Sequence, residues 1–581
     1  MAPHRQHDER TPRSRSTSAR ILGALTTALS CFSANASTPL ATATPAVAQV
    51  LAAAEESMAL PGSAEGGWLV VEPQTVRLLD ATGRERDRLP VRAEHLDLRP
   101  SGNTRAARAV VFDSDHQQPL LLTIKDFRLQ LAHRFEPVDY ALEAMCLYRD
   151  GQGLDHLFMI AKDGLAEQWL LPLPDAQGAP RLLRHLALPP NAESCRGDDQ
   201  RGLILIEEGT ETGRGFWAYA ADGEGVPRRR WLGAKLPPAD RLPTWSSATA
   251  RLPYVLPSAQ TDPVARSGDA ADDPAIWIHP GDPTRSRILG TNKKQGLLSY
   301  DLQGRQMQLI ESGRLNNVDV RQNLHIGPST NETAVDLAVA TQRDDNTLVV
   351  FEIDAQGQAR EAARIATGLK DIYGMCLHRT PRGGLEAFVN DKSGRFEHIR
   401  ITRQQQGSEI SYAGERLRVF STRSQPEGCV ADDAQGRLFF GEEKRGIWTL
   451  PTATDRRESA QLILGVGPWL VADVEGLAIY RSANSQASYL IASSQGNNSY
   501  VVLDALPPHK VRGAFRIGIN AQAGIDGASE TDGLEVSPVR LSGAYDQGML
   551  VVQDGYKRLP DGAQNFKYIA WRTIAQALGL N

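Results

Sequence analysis

One ordered series of short motifs occurs twice along this chain. Self-similarity on that scale points to two related units rather than one continuous fold. Leu79-Asp80-Ala81-Thr82-Gly83-Arg84 parallels Tyr300-Asp301-Leu302-Gln303-Gly304-Arg305. Glu94-His95-Leu96-Asp97-Leu98-Arg99 parallels Asn316-Asn317-Val318-Asp319-Val320-Arg321. Ala144-Met145-Cys146-Leu147 parallels Gly374-Met375-Cys376-Leu377. Glu193-Ser194-Cys195 parallels Glu427-Gly428-Cys429, and an Asp pair follows each, Asp198-Asp199 and Asp432-Asp433. Glu207-Glu208 parallels Glu442-Glu443, with Trp217 and Trp448 beyond them. The numbering offset stays between 221 and 235. Chance matches would not keep their order. The first copy stops near residue 255 and has no counterpart for the segments after residue 460.

Within each copy the local pattern is that of strands. Thr347-Leu348-Val349-Val350-Phe351-Glu352-Ile353 and Arg437-Leu438-Phe439-Phe440-Gly441 are short runs of β-formers. Turn pairs such as Gln356-Gly357, Gln435-Gly436 and Asp561-Gly562 punctuate the chain. Gly (51) and Pro (34) are plentiful, which suits tight turns better than long helices. A terminal helix over Trp571 to Leu580 is the predicted exception. Evenly spaced short strands predict a β-propeller or a large sandwich. The propeller fits better, because acidic residues recur at strand ends that would converge on one channel. The formal net charge of −5 and the absence of a long basic tract beyond the N-terminus argue against a nucleic-acid surface.

The N-terminus reads as an export signal over residues 1–36. Five Arg lie within residues 1–20, an apolar stretch runs from Ile21 to Phe32, and Ala34-Asn35-Ala36 offers small residues for cleavage. The stretch is shorter than the ~20 apolar residues that span a bilayer, and no later segment reaches that length. A secreted or periplasmic protein without a membrane span is expected. Residues 37–60, rich in Ala, Thr and Pro, are expected as a linker. Of five Cys, four form equivalent pairs, Cys146/Cys195 and Cys376/Cys429. These are either one disulfide per copy or buried thiols.

The second copy is dense in carboxylates beside Gly or small residues. They are Asp269, Asp272, Asp273, Asp319, Glu427, Glu442, Glu443, Asp473, Glu475, Asp526, Glu530, Asp532 and Asp554. Singly, an Asp-Gly pair is commonly a turn. Together they supply the hard oxygen ligands that Ca²⁺ takes, about six to eight per ion. Cations are interleaved: Lys293, Lys294, Arg343, Lys392 and Lys444. Carboxylates with cations at one mouth fit a polyanion held through metal ions, since bound Ca²⁺ inverts the local field. Otherwise they are solvated surface ion pairs. Nucleophile-elbow, P-loop and Rossmann motifs are absent.

As an ordered set, these motifs resemble β-propeller phytases over about residues 256–581. The run Gly268-Asp269-Ala270-Ala271-Asp272-Asp273-Pro274-Ala275-Ile276-Trp277 resembles the family's opening. Thr291-Asn292-Lys293-Lys294-Gln295, Tyr373-Gly374, Asp473-Val474-Glu475-Gly476, Ser493-Ser494-Gln495-Gly496-Asn497, Thr531-Asp532-Gly533, Gln553-Asp554-Gly555 and Asn565-Phe566-Lys567 follow in order. The resemblance implies an all-β, six-bladed propeller with several calcium ions, preceded over residues 61–255 by an incomplete, degenerate propeller-like domain. It implies Ca-dependent release of phosphate from myo-inositol hexakisphosphate (phytate), bound as its calcium complex, in the manner of a 3-phytase. Metal-activated water would attack phosphorus in line, without a phosphoenzyme.

Carried over residue by residue, Asp272, Glu427, Glu443 and Glu475 stand as catalytic. They also stand as calcium ligands, with Asp473, Gln495 and Asp532. Asp273, Asp526 and Asp554 match structural calcium positions, and Asp319 is counted with the metal ligands. Lys293, Lys294, Arg343, Tyr373 and Lys392 match the phosphate-binding set.

Two departures stand out. Gln260 and Ser393 occupy places where the family's pattern leads one to expect acids, which predicts a raised calcium requirement. The first copy keeps Asp97, Lys162, Glu193 and Glu208. It has Glu72-Pro73-Gln74-Thr75 in place of the Lys pair and Glu143 in place of Tyr373. It is therefore expected to be non-catalytic, packed on the second domain, and either a substrate-binding aid or a structural companion. Two competing readings remain. One is a non-enzymatic, calcium-stabilised propeller that binds inositol phosphates. The other is a phosphatase or lactonase on the same architecture.

Overall fold

Short alternating strands joined by tight turns pair with their sequence neighbours, and the chain builds one four-stranded antiparallel sheet after another. A computed structural model describes residues 45–580 except 62–65, 102–105, 175–177, 211–212, 246–251, 328–333, 407–408, 456–457 and 483–486. The signal expected over residues 1–36 lies outside the described residues. Among those described, no helix is long and apolar enough to cross a membrane.

Six sheets make up the second domain. Their innermost strands are Ala271–Trp277, Leu315–Leu324, Ile372–Arg379, Pro426–Asp432, Val474–Arg481 and Leu534–Ser537. Each innermost strand adjoins the next, and the last adjoins the first, so the six blades close a ring. Closure is reinforced at the rim. Ala259–Gln260 pairs with Asn565–Ala570 as the outermost strand of the last blade. Tyr254–Val255 likewise pairs in parallel with Arg516–Ile517 of the fifth, so the second domain begins slightly before the expected residue 256.

Buried faces interlock between blades. Ala275, Trp277 and Leu289 of the first pack on Val318, Ala338 and Phe351 of the second. The predicted terminal helix spans Trp571–Leu578, with Trp571 stacked on Tyr480 at 3.7 Å and Ile574 buried.

The first domain holds four sheets, over residues 56–89, 93–134, 142–187 and 192–233. Contacts run from each innermost strand to the next along these four blades. The segment expected as a linker differs from its composition. Pro45–Ala53 is a helix and Glu56–Ala59 the first strand of the first blade. Met58 and Leu60 pack against that blade's core, which outweighs the local Ala/Thr/Pro bias.

The two domains meet through the third and fourth blades of the first and the fifth and sixth of the second. Leu154, Leu170 and Leu183 pack with Ile519 and Leu559. The Gln152 side chain accepts from Ile519 N at 2.7 Å and donates to Ile519 O at 3.1 Å. The Glu224 carboxylate accepts from Gly527 N at 3.2 Å and Ser529 Oγ at 3.3 Å.

Candidate active site

Five of the six innermost strands of the second domain carry a β-bulge at the same level. Pairing slips across Asp272-Asp273, Asn316-Asn317, Tyr373-Gly374, Glu427-Gly428 and Glu475-Gly476. A bulge re-aims a side chain that regular pleating would send elsewhere. Here it brings one polar residue per blade to the channel mouth. The glycines that follow are not turns. A Cβ on Gly374 would meet Glu427 O at 1.9 Å, and one on Gly428 would meet Glu475 O at 2.4 Å. Neighbouring inner strands approach this closely only because those side chains are missing.

The mouth carboxylates converge. Oxygens of Glu427, Glu443 and Glu475 lie within 4.8 Å of one another. Lys293 Nζ lies 2.6 Å from Asp532, 2.8 Å from Asp269 and 3.9 Å from Asp272. Gln495 Nε2 donates to Asp532 Oδ1 at 2.8 Å, and Asn316 Nδ2 donates to Glu427 Oε1 at 3.3 Å. Gln425 Nε2 donates to Glu443. Asp272, Glu427, Glu443 and Glu475 are each at most 6% exposed. Asp473, Glu443, Glu475, Gln495 and Asp532 share with Lys293 and Tyr373 one cavity of about 1360 Å³.

So many buried like charges raise one another's proton affinity. Burial pushes Asp272 well above the ordinary carboxylate range, and Glu427, Asp532 and Asp269 add to this against the pull of Lys293. Burial and then the neighbouring Glu427 raise Glu475 well above it. Glu443 is pushed up to about 7 by burial and Glu427, and Asp532 to about 6 by burial, with Lys293 opposing. Burial pulls Lys293 down, but Asp272, Asp532 and Glu427 outweigh it and hold the ammonium above its usual value.

Both oxygens of Asp272 and Oε2 of Glu475 are buried with no hydrogen-bond partner. An unpaired buried carboxylate is costly unless a cation compensates it. A hard divalent cation with oxygen ligands fits this donor set.

The expected phosphate-binding set divides. The Tyr373 ring is approached by Lys392, 4.6 Å from its centre, and by Arg343 at 5.6 Å. Arg343 Nη1 also reaches Asn316 Oδ1 at 3.4 Å. Lys293 is engaged with the carboxylates. Lys294 is exposed and donates to Ser267 O at 2.6 Å, holding the loop before Asp269.

Four expected metal residues lie away from the mouth. Asp273 accepts from Val318 N at 3.0 Å, joining the first two blades. Asp319 Oδ1 accepts from Val320 N at 2.6 Å and Arg321 Nη1 at 2.7 Å on its own strand, and Oδ2 accepts from Leu377 N at 2.8 Å on the next blade. Asp526 and Asp554 flank the fully buried Lys567 at 2.6 and 3.0 Å. Gln260 belongs to this same group, accepting from Lys567 Nζ at 2.7 Å. Its departure from the family's pattern therefore falls on the Lys567 cluster and not on the mouth. Ser393 closes its own turn by donating from N to Asp391 Oδ1 at 2.9 Å.

Sequence reasoning left out Asn316 and Gln425, whose amides hold Glu427 and Glu443. It also missed a basic rim from the first domain, Arg184, Arg228 and Arg229, which lines the same cavity. The Asn316-Asn317 motif flagged the first; nothing local flagged the rim.

Comparison with known proteins places the chain in a family. The chain is 38% identical over 337 residues to the 3-phytase of Bacillus subtilis (strain 168), a match covering 56% of this chain and 85% of that protein. Among solved structures, BBS1N in complex with ARL6DN is similar at a TM-score of 0.32, with 11% identity over 72% of this chain and 89% of that one. Saccharomyces cerevisiae Sqt1 is similar at 0.26, with 9% identity over 71% and 95%. Likenesses that low carry no weight. A family model described as Phytase matches residues 235–581, and with it the chain belongs to the β-propeller phytases.

Proposed function

We propose that the second domain hydrolyses phosphomonoesters of myo-inositol hexakisphosphate in a calcium-dependent reaction, releasing phosphate and lower inositol phosphates. The single observation that carries this reading is the set of buried carboxylate oxygens at the mouth that accept no hydrogen bond, on Asp272 and Glu475, beside Glu427 and Glu443. Such an array destabilises the fold unless cations fill it, so its presence argues for a metal-loaded working state. Asp272, Glu427, Glu443, Asp473, Glu475 and Asp532 would hold calcium. When bound, calcium supplies charge neutralisation for the phosphoryl oxygens and acidifies water at the mouth.

The chain's own residues do the rest. Lys293 sits between Asp269, Asp272 and Asp532 and offers its ammonium to a phosphoryl oxygen entering the cavity. Arg343 and Lys392 both stand over the Tyr373 ring, a cationic pair suited to a second phosphate of the same inositol. Asn316 and Gln425 orient Glu427 and Glu443 through their amides. No nucleophilic side chain is required, since water is the attacking group.

This reading is tested by phosphate release from phytate near neutral pH, with added calcium and with chelator. Release that needs calcium is expected. Binding of the hexakisphosphate without release would instead favour a non-catalytic, calcium-stabilised propeller. Export by the N-terminal segment is likewise proposed, and fractionation of expressing cells checks it.

A further inference from the structure

The cavity over the mouth carboxylates has two walls from two domains. The second domain gives the carboxylates, Lys293 and Tyr373. The first domain gives Arg184, His185, Tyr219, Arg228 and Arg229 among others, and none of its lining residues is acidic. These cations do not come from the first domain's own former mouth. Arg184 and His185 lie on Arg181–Ala187, the outermost strand of its third blade. Arg229 opens Arg229–Gly233, the outermost strand of the fourth, and Arg228 immediately precedes it. Docking of the two domains turns this outer rim toward the catalytic mouth.

At about 1360 Å³ the cavity exceeds the ~300–1,000 Å³ of ordinary small-ligand sites, so it has room for a ligand that touches both walls.

An independent observation says what the space is for. Arg184 is held by Gln168 Oε1 at 2.7 Å and Ala220 O at 3.1 Å, and so cannot swing away. Across the domain boundary stands Arg558, whose Nε is buried without a partner. Burial and then the facing Arg558 lower Arg184 to about 9, against the opposing pull of Asp222 and Glu224. Two guanidiniums from different domains, brought together beside a cavity, are stabilised by an anion with several acceptor oxygens. Planar guanidinium donors match phosphate oxygens in pairs.

We infer that the first domain forms a second phosphate-binding wall of the active site, in which Arg184, Arg228 and Arg229 hold ring phosphates remote from the one being hydrolysed. The inference rests on the phytate reading above and adds a role for the first domain: selecting substrates that carry many phosphates. It acts on binding and not on the chemical step. It should therefore move KM for a polyphosphorylated ligand and leave a monophosphate untouched.

The test uses the full chain and the double variant R228A/R229A, since both residues are exposed and their loss should spare the fold. R230A removes the same kind of charge from an exposed neighbour that does not line the cavity. Kinetics on phytate and on p-nitrophenyl phosphate are compared, with calorimetric titration of inositol hexakisphosphate in calcium buffer. The double variant is expected to raise KM for phytate about tenfold, leaving kcat and the monophosphate kinetics within about twofold. R230A is expected to match the wild type, and R228K/R229K to restore part of the loss. An unchanged KM for phytate, or an equal rise in R230A, would overturn the inference. Failure of the phytate reading looks different, because the wild type would then release no phosphate at all. In that case the calorimetric affinities decide: weaker hexakisphosphate binding in R228A/R229A upholds the second wall, and equal binding sinks it.

Discussion

Asp97 and Asp319 do the same work in the two halves of the molecule, whereas Glu193 and Glu427 do not. Asp97 accepts from Leu98 N at 2.7 Å and Leu147 N at 2.8 Å, matching the bonds of Asp319 to Val320 and Leu377. Arg99 donates to Leu147 O at 2.8 Å, as Arg321 does to Leu377 O at 2.6 Å. Arg149 N donates to Asp199 at 3.0 Å, as Arg379 N does to Asp433 at 3.0 Å. Both cysteine pairs are joined, with Cα–Cα separations of 5.4 and 5.6 Å. Every one of these motifs links one blade to the next.

The mouths have diverged. The first copy keeps a bulge at His95, Glu143 and Glu193. Yet the Glu193 side chain is 49% exposed and faces Arg214 at 3.7 Å, and Glu143 faces Lys162 at 3.5 Å. The glycines that let inner strands close up, Gly374 and Gly428, are Ala144 and Ser194 there. Blade linkage was retained while the unpaired, buried carboxylates were replaced by solvated ion pairs. The first copy's remaining contribution is its outer rim.

The sharpest way to break this comparison is to neutralise one glutamate in each copy. Glu475→Gln should lower phosphate release by at least ~10²-fold, because it removes charge where transition-state charge is met. Glu193→Gln should leave the rate within about twofold. A comparable loss in both would make the first mouth catalytic.

Next comes packing. Gly428→Ala drives a methyl group into Glu475 O and should cost about 10² in kcat through displacement of Glu475. Ser194→Ala, at the matching place, should be silent.

The links should behave alike. Asp97→Ala and Asp319→Ala each strand a buried backbone N–H and should cost about 1–3 kcal/mol in calorimetric or denaturant unfolding. A loss confined to Asp319 would mean that its role is local to the second domain.

The smallest effect is in pH. In chelator, Glu443 and Asp532 bind protons more tightly folded than unfolded, with folded values of about 7 and 6. Stability is then greatest near pH 4 and falls as pH rises to about 7, by less than about 1.4 kcal/mol per unit for each group. Calcium should reverse the trend above pH 6, because protons and metal compete for the same oxygens. A calcium-free melting temperature that rises from pH 5 to 7 would contradict this.

Much of this was legible in the sequence. The duplicated order followed the blade links, since a residue that bonds across blades cannot drift independently of its partner. The mouth acids were legible as a family set. Aim was not. Asp272 and Asp273 are adjacent and alike, but a bulge sends one to the mouth and the other to Val318. Asp526 and Asp554 have a partner that no local pattern shows, Lys567 on a distant strand. The helix and strand over residues 45–59 hid behind a linker-like composition because tertiary packing decides them. Nor does any local pattern encode domain docking, so Arg184, Arg228 and Arg229 carried no signal.

The most direct test of the central claim is phosphate release from phytate titrated against free calcium, for the full chain and for Asp272→Asn. Calcium-dependent release is predicted for the full chain, with half-activation shifted at least ~10-fold upward, or activity lost, in the variant. Superimposable calcium curves would contradict the account, because the unpaired oxygens of Asp272 would then hold no working cation.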